Sequence, residues 1–160
     1  MTPLCLYRHS FIENGCFNPK GMSLSGKMYY KVIKPDTLEV ELQEIAARHG
    51  FSPQVLNVVR TADKWILAME DVEEGCLADH YGDDPEDIPE WIWDEIRRMV
   101  RHLYEDEGIE YIDITPYNFI EKEGRIYMID FGDAKYTGDE KDWFLNEFLD
   151  GENSWNPDYK

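Results

Sequence analysis

Basic residues, cysteines and long apolar runs are all scarce in this sequence, and each shortage excludes something. The 160 residues hold 16 Lys and Arg against 34 Asp and Glu, a formal net charge of -18. A surface of that sign repels phosphate backbones and anionic headgroups, so neither nucleic acid nor a membrane is expected as a partner; the charge either serves solubility alone or attracts a basic protein substrate, and composition does not separate the two. The three cysteines, Cys5, Cys16 and Cys76, are far apart and form no CxxC pair, which argues against a disulfide framework or a zinc site and fits a reducing compartment. No stretch approaches bilayer-spanning length, and the opening MTPLCLYRHSFIENG has no long apolar segment behind basic residues. A soluble, cytoplasmic protein is the expectation.

What is present can fold. Hydrophobic residues make up 42% and aromatics 14%, with charges spread along the chain, enough for one domain or two small lobes sharing a cleft. Asn14, Gly15, Asn18, Pro19 and Gly21 punctuate the first segment, where one or two short strands are expected. MYYKVI at 28–33 reads as a strand, and 37–48, with Leu38, Leu42 and Ile45 at helical spacing, as a helix. Residues 55–59 and 65–69 are apolar runs suited to an antiparallel pair. After the acidic, turn-rich segment 81–89, Asp87 and Glu90 have capping-box spacing, and Trp91, Ile92, Ile96, Met99, Val100 and Leu103 form the stripe of an amphipathic helix. Short strands are expected at 111–114 and 125–129, with a hairpin within 118–124, and a last short helix at 141–149.

The stretch most informative about chemistry is YIDITPYNFIEKEGRIYMIDFGDA at 111–134. Asp113, Asn118 and Asp130 stand in loop-prone surroundings, each beside an apolar run. The stretch resembles the catalytic loop and DFG segment of the protein kinase-like superfamily, in which HRDLxxxN precedes DFG across a short hairpin. The resemblance implies an α+β fold, with an N-terminal antiparallel sheet and one helix, then a reduced, mainly helical C-terminal lobe. It implies ATP and Mg²⁺, or Mn²⁺, as cofactors. It also implies that Asp113 orients the acceptor hydroxyl and accepts its proton, while Asn118 and Asp130 are metal ligands.

Upstream, YYKVIKP is similar to the kinase strand carrying VAIK, which gives Lys31 the nucleotide phosphates, with Lys34 as the competing lysine. The following helix offers Glu39, Glu41 and Glu44 as the partner of that lysine. Measured from the Leu38 stripe, Glu41 lies about 60° away and Glu44 about 120° away, which favours Glu41. WILAMEDVEEGCLAD is similar to the kinase gatekeeper and hinge, making Met69 the gatekeeper and Glu70, Asp71 and Val72 the adenine-facing backbone, with Met69 as ordinary core packing the alternative. Gly15, Cys16 and Phe17, in NGCFN, stand where the family keeps its glycine-rich loop, with Asn18 in place of the last glycine.

The resemblance departs from the family pattern at several points. Tyr111 and Ile112 replace His and Arg of HRD, so no arginine is available there to hold an activation-loop phosphate. Thr115 stands where Ser/Thr kinases keep a lysine. No APE sequence and no peptide-docking helices are expected after Ala134. Small kinase-like proteins of bacterial effectors and large DNA viruses are similarly truncated, and IDFGDA is also similar to small-molecule kinases of the aminoglycoside and choline types. The expectation is one minimal kinase-like domain over 1–160, with an N-lobe over 1–72, a hinge at about 70–73 and a truncated C-lobe over 74–160. The activity this resemblance implies is that of a serine/threonine protein kinase, cytoplasmic (host cytoplasm or virion if viral), the alternatives being a pseudokinase that binds a protein and a small-molecule kinase.

Overall fold

The computed structural model describes residues 27–137, 144, 148–151 and 155–156. Within them β1 (Met28–Ile33), β2 (Val55–Arg60) and β3 (Trp65–Glu70) form an antiparallel sheet in the order β1-β3-β2. The β1–β3 register sets Tyr29 opposite Met69 and Lys31 opposite Leu67. Alternation then puts Tyr29, Lys31 and Ile33 on one face, where Tyr29 and Ile33 are buried, and turns Val32 outward at 51% exposure. The register of β2 against β3 shifts between Val55 and Asn57, a bulge in an otherwise regular hairpin.

Helix α1 (Glu39–Arg48) starts two residues later than the sequence spacing predicts. Leu38 sits outside it at the N-cap and is 44% exposed, while Glu39, Val40, Leu42, Gln43 and Ile45 to Ala47 are buried. The short helix α2 (Leu77–Tyr81) follows β3. The capping box expected for the next helix does not form. Asp87 ends a 3-10 turn, Pro85–Asp87, that is capped by Asp84, and the long helix α3 (Glu90–Glu107) begins after Pro89 with no side-chain cap. Its buried stripe is Ile92, Trp93, Ile96, Met99, Val100 and Leu103, so Trp93 takes the inward place expected of Trp91, which is 43% exposed. Full burial of side chains of this size contributes about 1.5–3 kcal/mol each. Gly108 ends α3 in the left-handed region at φ 64°, which glycine adopts without strain.

Four short strands follow α3, in two pairs. Strand β4 (Ile109–Glu110) pairs with β7 (Lys135–Tyr136), and β5 (Phe119–Lys122) forms a hairpin with β6 (Arg125–Met128). The strand expected at 111–114 is absent, because pairing stops at Glu110 and residues 111–118 run as a loop. Most of the helix expected at 141–149 lies outside the described residues, although Phe144, Phe148 and Leu149 are buried in the larger core. That core joins one face of α1 to α3 and to Tyr111, Phe119 and Phe131. A smaller one unites the β1–β3 face with Val72, Cys76, Ile120 and Ile129. Both cores therefore draw residues from before and after residues 70–73. The mixed architecture, a small antiparallel sheet with one helix followed by a largely helical part, is the α+β arrangement the sequence implies.

Candidate active site

The loop 111–118 is held by its backbone and its buried side chains. The Asn118 amide donates to the Thr115 carbonyl at 3.2 Å, Ala78 N–H to the Pro116 carbonyl at 3.0 Å, and Ile129 N–H to the Asn118 carbonyl at 3.1 Å. Tyr111 is fully buried, with its ring centroid 5.2 Å from Phe131 and 5.9 Å from Phe119. On this support the Asn118 side-chain amide donates to both the carbonyl and the Oδ2 of Asp113, each at 2.8 Å. Burial raises the Asp113 carboxyl above its usual range, opposed by the Asn118 hydrogen bond and reinforced by the negative charges of Asp133 and Asp130.

Asp130 follows β6 and turns into the site with its Oδ1 accepting from Gly132 N–H at 2.9 Å and from Lys31 Nζ at 3.1 Å. The approach is close: a Cβ at Gly132 would lie 3.1 Å from that same oxygen. Lys31 also donates to Glu39 Oε1, so one ammonium joins the sheet, the first turn of α1 and the loop after β6. Burial is the largest influence on Lys31 and opposes its charge, but Asp130 and Glu39 together outweigh it and hold the ammonium above its ordinary value. Burial also dominates at Glu39 and raises its carboxyl against the pull of Lys31, helped by the charges of Asp130 and Asp133. The two directions are compatible because a single cation serves several acids.

The partner of Lys31 is therefore Glu39, and the expectation of Glu41 is corrected. The angular argument took Leu38 as part of the buried stripe, but Leu38 precedes the helix and faces solvent. Glu39 lies one turn before Gln43, itself fully buried, whereas Glu41 is about 160° around the helix from Glu39 and exposed. There it lies beside Tyr136, whose hydroxyl is raised first by burial and then by the charge of Glu41 and a hydrogen bond to it. Lys34 and Glu44 are exposed as well and take no part in the pair.

At the hinge-like segment Met69 is fully buried and its sulfur accepts from Gln43 Nε2 at 3.4 Å, so it packs against α1 as core. The Glu70 and Asp71 amides are already bonded, to the Gln54 and Lys27 carbonyls. The Val72 carbonyl accepts from Lys122 Nζ at 2.7 Å, a contact that nothing in the sequence pattern announced. Gly15, Cys16 and Phe17 lie outside the described residues. An open cleft of about 520 Å³ is lined by Lys31, Lys34, Thr37, Glu39, Asp130 and Asp133 among others, and residues 69–72 do not line it. Lys31 thus meets Glu39 and Asp130 directly, while Asp113 and Asn118 pair with each other outside the cleft lining, Asp113 feeling the charges of Asp133, Asp130 and Lys31; Glu39, Gly132 and Asp133 are additions, the last two legible in IDFGDA but not singled out there.

The donor set suits a hard divalent cation. Asn118 uses its NH₂ on Asp113, which leaves Oδ1 as an acceptor, and Asp130 uses Oδ1 for Lys31 and Gly132, which leaves Oδ2. Several carboxylates share one lysine here, so the site is short of positive charge.

A family model, described as the RIO domain, matches residues 36–148. No curated protein matches the chain. Among solved structures, the kinase PK-1 of the Cydia pomonella granulovirus superposes with a TM-score of 0.61 at 20% identity, over 72% of this chain and 46% of that one. At that identity the likeness shows the fold, and this chain spans about half the length of that kinase. The family match begins after Lys31, whose place rests on the geometry given above. With the match covering well over half of its residues, the chain belongs to the RIO domain family and has a protein kinase-like fold.

Proposed function

We propose that the chain is an ATP- and Mg²⁺-dependent phosphotransferase that moves a γ-phosphoryl group to a serine or threonine hydroxyl of a protein, with 70–73 as the hinge of one minimal catalytic unit. The observation that carries this reading is the placement of Lys31 between Glu39 and Asp130, with the Asp113–Asn118 pair near enough for Asp113 to feel the charges of Asp130 and Lys31. Lys31, fixed by two carboxylates, presents a point charge to nucleotide phosphates. Asp113 accepts the proton of the incoming hydroxyl, and its raised carboxyl is a better match to that task than an ordinary aspartate. Asn118 and Asp130 would hold Mg²⁺ or Mn²⁺, which when bound neutralises charge developing on the phosphates. The net charge of -18 favours a basic protein as acceptor.

The test is transfer of labelled γ-phosphate in Mg²⁺ to a generic basic protein and to the chain itself, beside Lys31→Ala and Asp130→Asn variants with folding checked by circular dichroism. Label that needs both residues supports the reading, and label that survives Asp130→Asn sinks it. A second reading, a kinase-shaped module that binds a protein, is favoured by Thr115. That residue is buried, its hydroxyl accepts from the Tyr117 amide at 3.3 Å, and it offers nothing outward where a lysine would reach a phosphate.

A further inference from the structure

At the opposite end of α1 from the cleft, two histidines meet. His49 is the C-cap of α1 and His102 lies on α3, with their ring centroids 4.5 Å apart and inclined at 72°. His49 Nε2 is 2.6 Å from Glu107 Oε1, His102 Nδ1 is 2.7 Å from Asp106 Oδ2, and the remaining nitrogens, His49 Nδ1 and His102 Nε2, face each other at 3.2 Å. Three polar contacts each need a hydrogen or a cation between two acceptors. Two neutral imidazoles supply only two N–H groups.

The shorter contacts, to the carboxylates, are where those hydrogens belong. The two remaining ring nitrogens, each with a lone pair, are then left 3.2 Å apart on rings inclined at 72°. A carboxylate holding the distal N–H of each imidazole is the arrangement that orients histidine toward a metal ion. The separation fits too, since two nitrogens 2.0–2.1 Å from one tetrahedral ion stand about 3.3 Å apart. Charge agrees: two neutral histidines and two carboxylates total -2, which one divalent ion cancels. All four side chains are between 30% and 59% exposed, so water has access to the remaining coordination positions. Those positions fall to water because, among the described residues, no three or more His, Cys, Asp or Glu converge as a metal site. Phe51 packs beside both rings, and the guanidinium of Arg98 on its face is neutralised by Glu95.

We propose that His49 and His102 form a surface site for a borderline-soft divalent ion of the zinc class, oriented by Glu107 and Asp106, that ties the C-terminal end of α1 to α3. It is chemically separate from the oxygen-rich set around Asp130, because imidazole nitrogen suits zinc, nickel and copper while carboxylate and amide oxygen suit magnesium. With two protein ligands it is weaker than a four-ligand structural site.

The experiment is titration of the full chain with CoCl₂, without nucleotide, followed by visible absorption and then competition with ZnCl₂. Expected are cobalt bands that zinc displaces, lost in His49→Ala and in His102→Gln, retained in Asp130→Asn, and requiring roughly 10–100-fold more metal in Glu107→Gln. A zinc-dependent rise in melting temperature should follow the same order across the variants. Bands that are absent from the wild type, or unchanged in His102→Gln, overturn the proposal, and the contact is then a proton shared between the rings.

Discussion

The two loops that flank the β5–β6 hairpin, carrying Asp113 with Asn118 and Asp130, and the sheet-and-helix unit carrying Lys31 and Glu39 hold their charges by different means. In the loops, Asn118 grips Asp113 through two hydrogen bonds and Gly132 N–H grips Asp130, with Tyr111, Phe119 and Phe131 packed behind. In the other unit Lys31 and Glu39 are held chiefly by each other and by Asp130. The loops are held largely by local hydrogen bonds, with Asp130 also joined to the distant Lys31. The ion pair is tertiary, and removing one member of such a buried pair strands the other at up to about 3–5 kcal/mol.

The largest predicted effects fall on the loops. Asp113→Asn should lower phosphoryl transfer by roughly 10²–10⁴-fold, as expected for loss of a general base, in a labelled-phosphate assay. Its effect on stability runs the other way. The folded Asp113 carboxyl is raised, so it contributes stability that is fully present below its unfolded pKa and lost as pH rises through the folded one. At neutral pH the ionised group therefore weakens the fold. Asp113→Asn should melt higher than wild type at pH 7, and that gain should vanish at about pH 3, below the ordinary aspartate value. In the wild type the acid limb of the rate profile should sit above the usual aspartate range, and no such limb should remain in the variant.

Glu39→Gln against Glu41→Gln tests the weaker unit. Loss of the Glu39 carboxylate leaves Lys31 with Asp130 alone, and transfer should fall by at least about tenfold, the equivalent of one charge-assisted hydrogen bond. Glu41→Gln should stay within about twofold, as an exposed charge does. Equal losses in the two variants would mean that α1 is turned differently from the geometry described.

That pair of variants also marks where the sequence stops being legible. Asp113, Asn118 and Asp130 could be read directly because a loop motif keeps its residues at fixed spacing and carries its own backbone geometry. The strands 28–33, 55–60 and 65–70 were legible from β-branched and aromatic runs. The partner of Lys31 was not, because a helical phase depends on the first helical residue, and Leu38 looks like stripe but lies before the helix. Trp91 and Trp93 exchanged places for a related reason: two large apolar residues two positions apart cannot share one helix face, and only packing chooses between them. Lys122 on the Val72 carbonyl is a contact across 50 positions with no local signature.

Two smaller changes refine the contrast within the loops themselves. Gly132→Ala puts a methyl 3.1 Å from Asp130 Oδ1, tighter than ordinary contact, so the carboxylate must move by a few tenths of an ångström. Transfer should drop several-fold while the urea midpoint stays near wild type, because the displaced atom is a site oxygen and not core. Tyr111→Phe should do least. The Tyr111 hydroxyl is fully buried with no hydrogen bond of ordinary geometry, although the Asp130 amide is near enough to oppose the strong rise that burial imposes on its pKa. The ring contacts with Phe131 and Phe119 persist in the variant, so stability by urea unfolding should change by no more than about 1 kcal/mol and in the stabilising direction, since an unpartnered buried hydroxyl is removed. A loss of more than that, accompanied by slower transfer, would mean that the hydroxyl does hold the Asp130 backbone, and the loop would then depend on a polar tie where its aromatic packing now suffices.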